Sequence, residues 1–221
     1  MLTPARNAPS AAPGLTDRYR GVLDFLRRYD GGGCFVVLPS VRGGLLGLDG
    51  FTGEDTRPVA FAEEFGRTTG VAADTRLDAV SAAQCRALSF ARNLPAYPAF
   101  SLRFEIARRQ LRSGERLEGT IRNVDGRTLH LLLVDDEGKV QNAGGFARRV
   151  GADATFAAHM TLTGGPVETV QLVVALATEA PLETVTRLSG EQTGSFFAEL
   201  AEEIAARHLS PDLAIAAFSV R

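Results

Sequence analysis

The sequence predicts an α+β protein, in which a small α/β N-terminal domain precedes an Ig-like antiparallel β-sandwich with an added C-terminal helix and strand. Three observations predict this class. Before residue 94, stretches with apolar residues at helical spacing alternate with short apolar runs. After residue 98 the apolar period changes to two, which is typical of half-buried strands. Residues 189–220 return to helical spacing and then end in an apolar run.

Two domains are expected from this change of period. Residues 1–14 are rich in Pro, Ala and small polar residues, so we expect a disordered linker. The small α+β domain covers 15–94, and the sandwich with its C-terminal helix covers 99–221. Pro95 and Pro98 separate them, because two prolines exclude both a helix and a central strand.

The first domain reads as α-β-β-α-β-α. Gly70 follows the second helix, which Asp55 or Thr56 can cap, and Ser81 with Gln84 forms a capping box for the third. The predicted elements are a helix from Thr16 to about Tyr29, strands at 34–41 and 44–51, a helix from Pro58, a strand at 71–80 and a helix to about Asn93.

The second domain contains six predicted strands and a final helix and strand. The strands are 102–106, 117–122, 128–134, 139–144, 156–162 and 167–177. Asp125-Gly126 is a hairpin signal. Residues 189–192 read as the capped start of a helix that ends before Pro211, and 213–220 reads as a strand with both faces covered. The inward face of that helix is expected to comprise Phe197, Leu200, Ala201, Ile204 and His208.

Composition and motifs exclude several classes of function. The chain has 221 residues and a formal net charge of −2, so no nucleic-acid footprint is present. No apolar run reaches about 18 residues, so we expect no membrane insertion. Gly138-Lys139 is followed by Val140, which excludes a P-loop, and neither G-x-S-x-G nor H-E-x-x-H occurs. We therefore expect no enzyme activity, no cofactor and no metal.

Four stretches carry a resemblance to a known family: residues 32–39 (GGCFVVLP), 83–90 (AQCRALSF), 111–119 (LRSGERLEG) and 131–142 (LLLVDDEGKVQN). The chain resembles the C-terminal, non-kinase region of alphaproteobacterial membrane-anchored serine/threonine protein kinases and related caspase-like proteins. The resemblance covers nearly all of residues 15–221, and its motifs are structural rather than catalytic. This sequence departs from the family's arrangement, because it holds no HRD or DFG triplet and no membrane helix.

The resemblance implies an accessory or sensory module that binds a protein or a cell-envelope ligand. It implies an extracytoplasmic, periplasmic location if the chain is a fragment of a membrane-anchored parent, whereas a native start at Met1 implies the cytoplasm. In the related extracytoplasmic regions the two cysteines would form a disulfide, here Cys34 with Cys85. Two buried free thiols, or a redox-active thiol at the start of a helix, are the alternatives. A bonded pair requires Cα atoms within about 7 Å of each other.

Other polar groups have a functional and a structural interpretation. The run Asp135-Asp136-Glu137 offers carboxylates for a cation but lacks calcium-loop spacing, so we expect a solvated turn. His130 lies on an apolar strand, where we expect a core histidine bonded to a backbone group. Gly31–Gly33 are expected to reverse the chain and not to bind phosphate. Arg148 and Arg149 are expected in a solvated loop and not in an anion site.

Two competing functions remain open at this stage. A small hydrolase or transferase could use Asp135, Asp136 or His130, and such an enzyme would gather these titratable groups in one cleft. A purely structural interaction domain in the cytoplasm is the third possibility, and it would keep its cysteines reduced.

Overall fold

The computed structural model describes residues 15–42, 45–53, 58–161 and 168–221. In these ranges the chain is a mixed α+β protein with five α-helices and twelve strands in three sheets. The predicted linker 1–14 and the predicted capping residues Asp55 and Thr56 lie outside the described residues.

The helices are Leu15–Arg28 (α1), Pro58–Thr69 (α2), Cys85–Asn93 (α3), Glu183–Arg187 (α4) and Thr193–Ala206 (α5). The strands are Phe35–Arg42 (β1), Leu45–Gly53 (β2), Asp74–Val80 (β3), Arg103–Ile106 (β4), Gln110–Leu111 (β5), Arg116–Arg122 (β6), Thr128–Val134 (β7), Val140–Asn142 (β8), Ala147–Val150 (β9), Asp153–His159 (β10), Thr169–Thr178 (β11) and Asp212–Val220 (β12). A 3-10 turn, Ala82–Gln84, leads directly into α3. Sequence reasoning missed β5, β9 and α4, which are too short to show a period.

The first sheet has the order β1-β2-β3, with β1 antiparallel and β3 parallel to β2. Side chains of β1 alternate between its two faces. Phe35 and Val37 join the apolar cluster formed with α1 and α2, whereas Val36 joins the cluster that contains α3. Because both faces of β1 are buried, its sequence is a continuous apolar run rather than an alternating one.

The second half forms a four-stranded sheet, β4-β6-β10-β9, and a five-stranded sheet, β5-β12-β11-β7-β8. Residues of both sheets share one apolar cluster, which includes Leu117, Ile121 and Phe156 from the smaller sheet and Val173 and Phe218 from the larger. The facing apolar sides explain the period of two that the sequence shows here.

The last strand, β12, lies inside the larger sheet. It pairs along its whole length with β11, antiparallel, and over Ser219–Val220 with β5, parallel. Every residue from Asp212 to Val220 is buried. The prediction that 213–220 is an interior strand is therefore confirmed.

The predicted hairpin at Asp125-Gly126 is wrong. The strands on either side, β6 and β7, belong to different sheets. Both edges of β6 are occupied, by β4 and β10, and both edges of β7 are occupied, by β11 and β8. The turn residues therefore take the chain across from one sheet to the other.

Two expectations for α5 are also corrected. Its N-cap is Gln192, without a side-chain cap, and the Ser189 hydroxyl accepts a hydrogen bond from the Asn142 amide at 2.9 Å instead. Phe197, Leu200 and Ile204 are buried as expected, whereas Ala201 and His208 are exposed. On a helical projection of α5, Ala201 lies at the border of the buried face. Whether its side chain is covered is therefore decided by the placement of α3.

Helix α3 packs between the two halves of the chain. One apolar cluster contains Val36 and Leu88 from the first half together with Leu172, Phe196 and Leu213 from the second. These side chains come from both sides of the predicted domain boundary at 94–99, and they share a single core. The boundary itself stays a prediction.

The capping box that the sequence predicts before α3 is present, and it also joins the halves. The Gln84 side-chain oxygen accepts from the Ser81 amide at 3.0 Å. The amide nitrogen of the Gln84 side chain donates to the carbonyls of Val170 at 2.9 Å and Val134 at 3.3 Å. The Ser81 hydroxyl donates to the Asp136 carbonyl at 2.6 Å. Gln84 is fully buried, and both polar atoms of its side chain are bonded.

We expect Gln84→Ala to destabilise the protein by about 2 to 3 kcal/mol, because it leaves buried main-chain groups without partners. Urea unfolding followed by circular dichroism measures this. Gln141→Ala is the matched control, because Gln141 is exposed, and it should change stability by less than about 0.5 kcal/mol. Equal effects of the two substitutions would contradict this role of Gln84.

Candidate functional site

Helices α3 and α5 run side by side in the same direction and form an open groove of about 840 Å³. Their first turns are adjacent, because the Thr193 hydroxyl donates to the Ala83 carbonyl at 2.6 Å. Leu94, which follows α3, also lines the groove, as do Ile204 and His208 at the end of α5. The groove therefore follows both helix axes.

The floor of the groove is apolar and its α5 wall is made of small residues. The rings of Phe90 and Phe197 meet in the floor with centroids 5.0 Å apart. The wall on α5 consists of four small, exposed residues: Gly194, Ala198, Ala201 and Ala205. They are spaced at three or four residues and cover about 16 Å of helix. None of these four carries a side chain longer than a methyl group, so a ligand can approach the helix closely.

Only two of the described residues that line the groove carry ionisable side chains, Arg86 and His208, and both are basic. Arg86 belongs to the first turn of α3, and His208 follows the end of α5. Because these lining residues include no carboxylate, they provide no pair of groups suited to general acid and base catalysis. The chemistry that the groove offers is the burial of an apolar ligand surface.

The predicted proximity of Cys34 and Cys85 is confirmed: their Cα atoms are 4.7 Å apart and the sulfur atoms are bonded. Cys85 is the first residue of α3, and Cys34 immediately precedes β1. The disulfide therefore fixes the end of α3 that carries Arg86 to the first sheet. It holds one wall of the groove in place.

His130 is buried on β7, as expected of a core histidine, and it interacts with the Ala180 carbonyl and with the Thr178 side chain. Its Nε2 lies 3.2 Å from the Thr178 hydroxyl, which donates to the Ala180 carbonyl at 2.7 Å. Burial lowers the pKa of His130 below its usual value, against the opposing charge of Glu203. Burial therefore favours the neutral form of the imidazole, while the hydrogen bond to Ala180 opposes this effect.

Residues 135–137 form the expected turn, but Asp135 and Asp136 are half-buried in it. The Asp135 carboxylate accepts from the Lys139 amide at 2.7 Å and closes the β7–β8 turn. The Asp136 carboxylate accepts from the Gln171 side chain at 3.2 Å, and its carbonyl binds Ser81. Only Glu137 is exposed. The turn is half-buried because it docks against the segment before α3.

The candidate groups of a hydrolase are not assembled in one place. Asp135 directly follows β7 and lies five residues from His130, about 17 Å in an extended chain. In the described part of the chain no three His, Cys, Asp or Glu side chains are grouped as a metal site. The expectation that the chain is not an enzyme stays a prediction.

The remaining candidates have structural surroundings. Arg148 and Arg149 lie on strand β9 and not in the predicted loop. Arg148 is exposed, and the Arg149 guanidinium donates to the carbonyls of Asp125 and Arg127. Gly31–Gly33 connect α1 to β1, and Gly32 has a φ of 80°. A Cβ on Gly31 would lie 2.1 Å from the Phe35 ring, so this glycine permits the close chain reversal that the sequence predicts.

Sequence reasoning missed the groove itself. Its one detectable signal is the spacing of Gly194, Ala198, Ala201 and Ala205 along α5. That signal was obscured by the high alanine content of the chain, and it acquires meaning only when α3 lies beside it.

No protein-family model matches the chain, and neither a curated protein nor a solved structure matches it. Within the residues that the structure describes, no helix combines the length and the apolarity needed to cross a bilayer.

We expect the double substitution Cys34→Ala with Cys85→Ala to destabilise the protein by about 4 kcal/mol, because the disulfide closes a loop of 51 positions in the unfolded chain. Urea unfolding with and without dithiothreitol measures this. The reductant should lower the stability of the wild-type protein and leave the double variant unchanged. A double variant as stable as the oxidised wild type would contradict the expectation.

The lowered pKa of His130 predicts a stability that falls in mild acid. The unfolded chain, with a histidine pKa of about 6.5, binds a proton before the folded chain does. The contribution of His130 to the free energy of unfolding is therefore fully present above about pH 6.5. It decreases as the pH falls from there toward the pKa of His130 in the folded protein. Urea midpoints between pH 7.5 and 5.5 should show this slope in the wild type and in His159→Gln, and a smaller slope in His130→Gln. Identical slopes in all three proteins would be the contrary result.

Proposed function

We propose that this chain is a non-catalytic accessory or sensory module that binds a protein or a cell-envelope ligand in the groove between α3 and α5. The observation that carries the proposal is the chemistry of that groove. It combines an apolar floor at Phe90 and Phe197, a wall of small exposed residues and two basic groups at its borders. Such a surface is suited to binding, and the Arg86 guanidinium, with no carboxylate among the lining residues, favours a ligand with a negatively charged end.

The cysteine pair supports an extracytoplasmic, periplasmic location. Disulfides between Cys34 and Cys85 would form and persist in an oxidising compartment, whereas cytoplasmic thiols are normally kept reduced. A cytoplasmic interaction domain is the alternative, and the redox state of the two cysteines in cells separates the two locations.

The proposed role as an accessory or sensory module is supported by the resemblance to the C-terminal region of membrane-anchored serine/threonine protein kinases. Two of the four stretches that carry the resemblance meet where α3 begins. Residues 83–90 form most of α3, and residues 131–142 include the β7–β8 turn that docks beside it. The Ig-like character of the two larger sheets belongs to the same proposal. In that arrangement the module would bind a signal and would not itself transfer phosphate.

Substitutions on α5 test the groove. Ala201→Glu places a carboxylate in the groove wall, and Ala206→Glu places the same group on the same helix outside the residues that line the groove. Both positions are exposed, so both variants should keep the wild-type stability within about 0.5 kcal/mol. We expect Ala201→Glu to lower binding at least tenfold and Ala206→Glu to leave it unchanged.

The binding measurement uses two immobilised samples from an alphaproteobacterial cell envelope: detergent-solubilised envelope proteins and purified peptidoglycan fragments. Retention of the wild type and of Ala206→Glu, with loss of Ala201→Glu, is the expected result. Equal retention of all three proteins, or of none, would contradict a binding function of this groove.

A further inference from the structure

A second cleft, of about 570 Å³, lies where edges of all three sheets meet. It is lined by the segments Leu38–Val41 of β1, Arg103–Ile106 of β4 and Leu213–Ala216 of β12. Strands β1 and β4 are the terminal strands of their sheets. Strand β12 has a partner on this side only at Ser219–Val220. The direction of the main-chain groups decides which of these edges can accept another strand.

The edge of β1 is largely closed to pairing. The Gly53 amide donates to the Cys34 carbonyl, so the odd-numbered residues that follow in β1 turn their main-chain groups away from β2. Two contacts agree with this alternation: the Val37 amide donates to the Tyr97 hydroxyl, and the Phe35 carbonyl accepts from a side chain of α3. The next outward position is Pro39, which has no N–H. Proline at such a position is a common protection of an edge strand.

The edge of β4 has no such protection. The Ala107 amide donates to the Glu118 carbonyl on β6, so Glu105 also pairs with β6. The residues between, Phe104 and Ile106, therefore turn their N–H and C=O groups away from β6, on the side where the sheet ends. In the described chain no strand pairs with them there.

Charged side chains of β4 do not screen this edge. The Arg103 guanidinium turns back to the carbonyls of Phe100 and Leu102. The Glu105 carboxylate is bonded to Arg122 on the neighbouring strand at 2.9 Å. The opposite side of the cleft is the apolar segment of β12, whose Ile215 and Ala216 are buried.

We propose that this cleft binds an extended segment of a partner protein, about five residues long, which adds as a strand to the edge of β4. Phe104 and Ile106 would supply two donors and two acceptors, about 7 Å apart along the strand. The segment would carry apolar side chains at alternate positions, toward Ile215, and no proline. It would be uncharged, because the charged side chains of the cleft already have partners. Glu105 is paired with Arg122 and Arg109 with Asp78. Asp49 accepts from the Ser40 hydroxyl, and Arg103 donates to main-chain carbonyls. This site is separate from the groove between α3 and α5.

A tethered peptide tests the proposal without a known partner. Val41 lines the cleft and is 72% exposed, so Val41→Cys can carry the disulfide-linked peptide Cys-Gly-Gly-Val-Thr-Val-Thr-Val. Tethering raises the local peptide concentration to the millimolar range, which compensates for weak intrinsic affinity. The measurement is amide hydrogen exchange by NMR. We expect exchange at Phe104 and Ile106 to slow at least tenfold.

Two controls make the result specific. The same peptide with alternate amides N-methylated cannot form a ladder on one edge and should give no protection. The same peptide tethered at Val150→Cys, an exposed site on β9, should also leave Phe104 and Ile106 unchanged. Unchanged exchange with the unmodified peptide tethered in the Val41→Cys variant, or equal protection by the methylated peptide, would overturn the proposal. Protection that rises with protein concentration in the absence of peptide would show that a second copy occupies the edge, and it would overturn the proposal as well.

Discussion

The rest of the structure depends on the five residues from Ser81 to Cys85, which are bonded to several distant parts of the chain. Ser81 binds the β7–β8 turn through the Asp136 carbonyl, Ala83 accepts from the first residue of α5, Gln84 binds β7 and β11, and Cys85 is bonded to Cys34. A helix start normally leaves amide groups unpaired. Here the capping box satisfies two of them, the Ser81 and Gln84 amides, while other groups of the segment join both halves of the molecule.

The same junction sets the shape of the candidate binding surface. Because the first turns of α3 and α5 are tied together at Ala83 and Thr193, the two helices run in parallel and leave a groove along their shared outer side. Phe90 and Phe197 close the bottom of this groove and belong to the core that spans both halves. The proposed binding surface and the stability of the fold therefore depend on the same helix, so a ligand in the groove would contact the element that joins the two halves.

The way β12 enters its sheet explains why 213–220 is so apolar. Its first residue, Asp212, is buried and accepts from the amides of Ser101 and Leu102 and from the Arg127 guanidinium. Burial raises the pKa of Asp212, but the bonds from Ser101 and Arg127 outweigh it, so the pKa lies below its usual value. An ionised, fully bonded carboxylate anchors the strand, and the remaining residues can be apolar because both faces of the sheet are covered.

Interactions within a few residues were sufficient to predict many elements of this protein, whereas packing between distant parts of the chain determined the others. The capping box at Ser81 and Gln84, the reversal at Gly31–Gly33 and the interior strand 213–220 follow from the sequence, because caps, glycine turns and apolar periods act within a few residues. Whether Asp125-Gly126 joins paired strands, whether Asp136 faces solvent and whether Ala201 is covered depend on partners far away along the chain. A sequence period specifies which side of an element is apolar, but only the packed neighbours determine which part of that side stays open to a ligand.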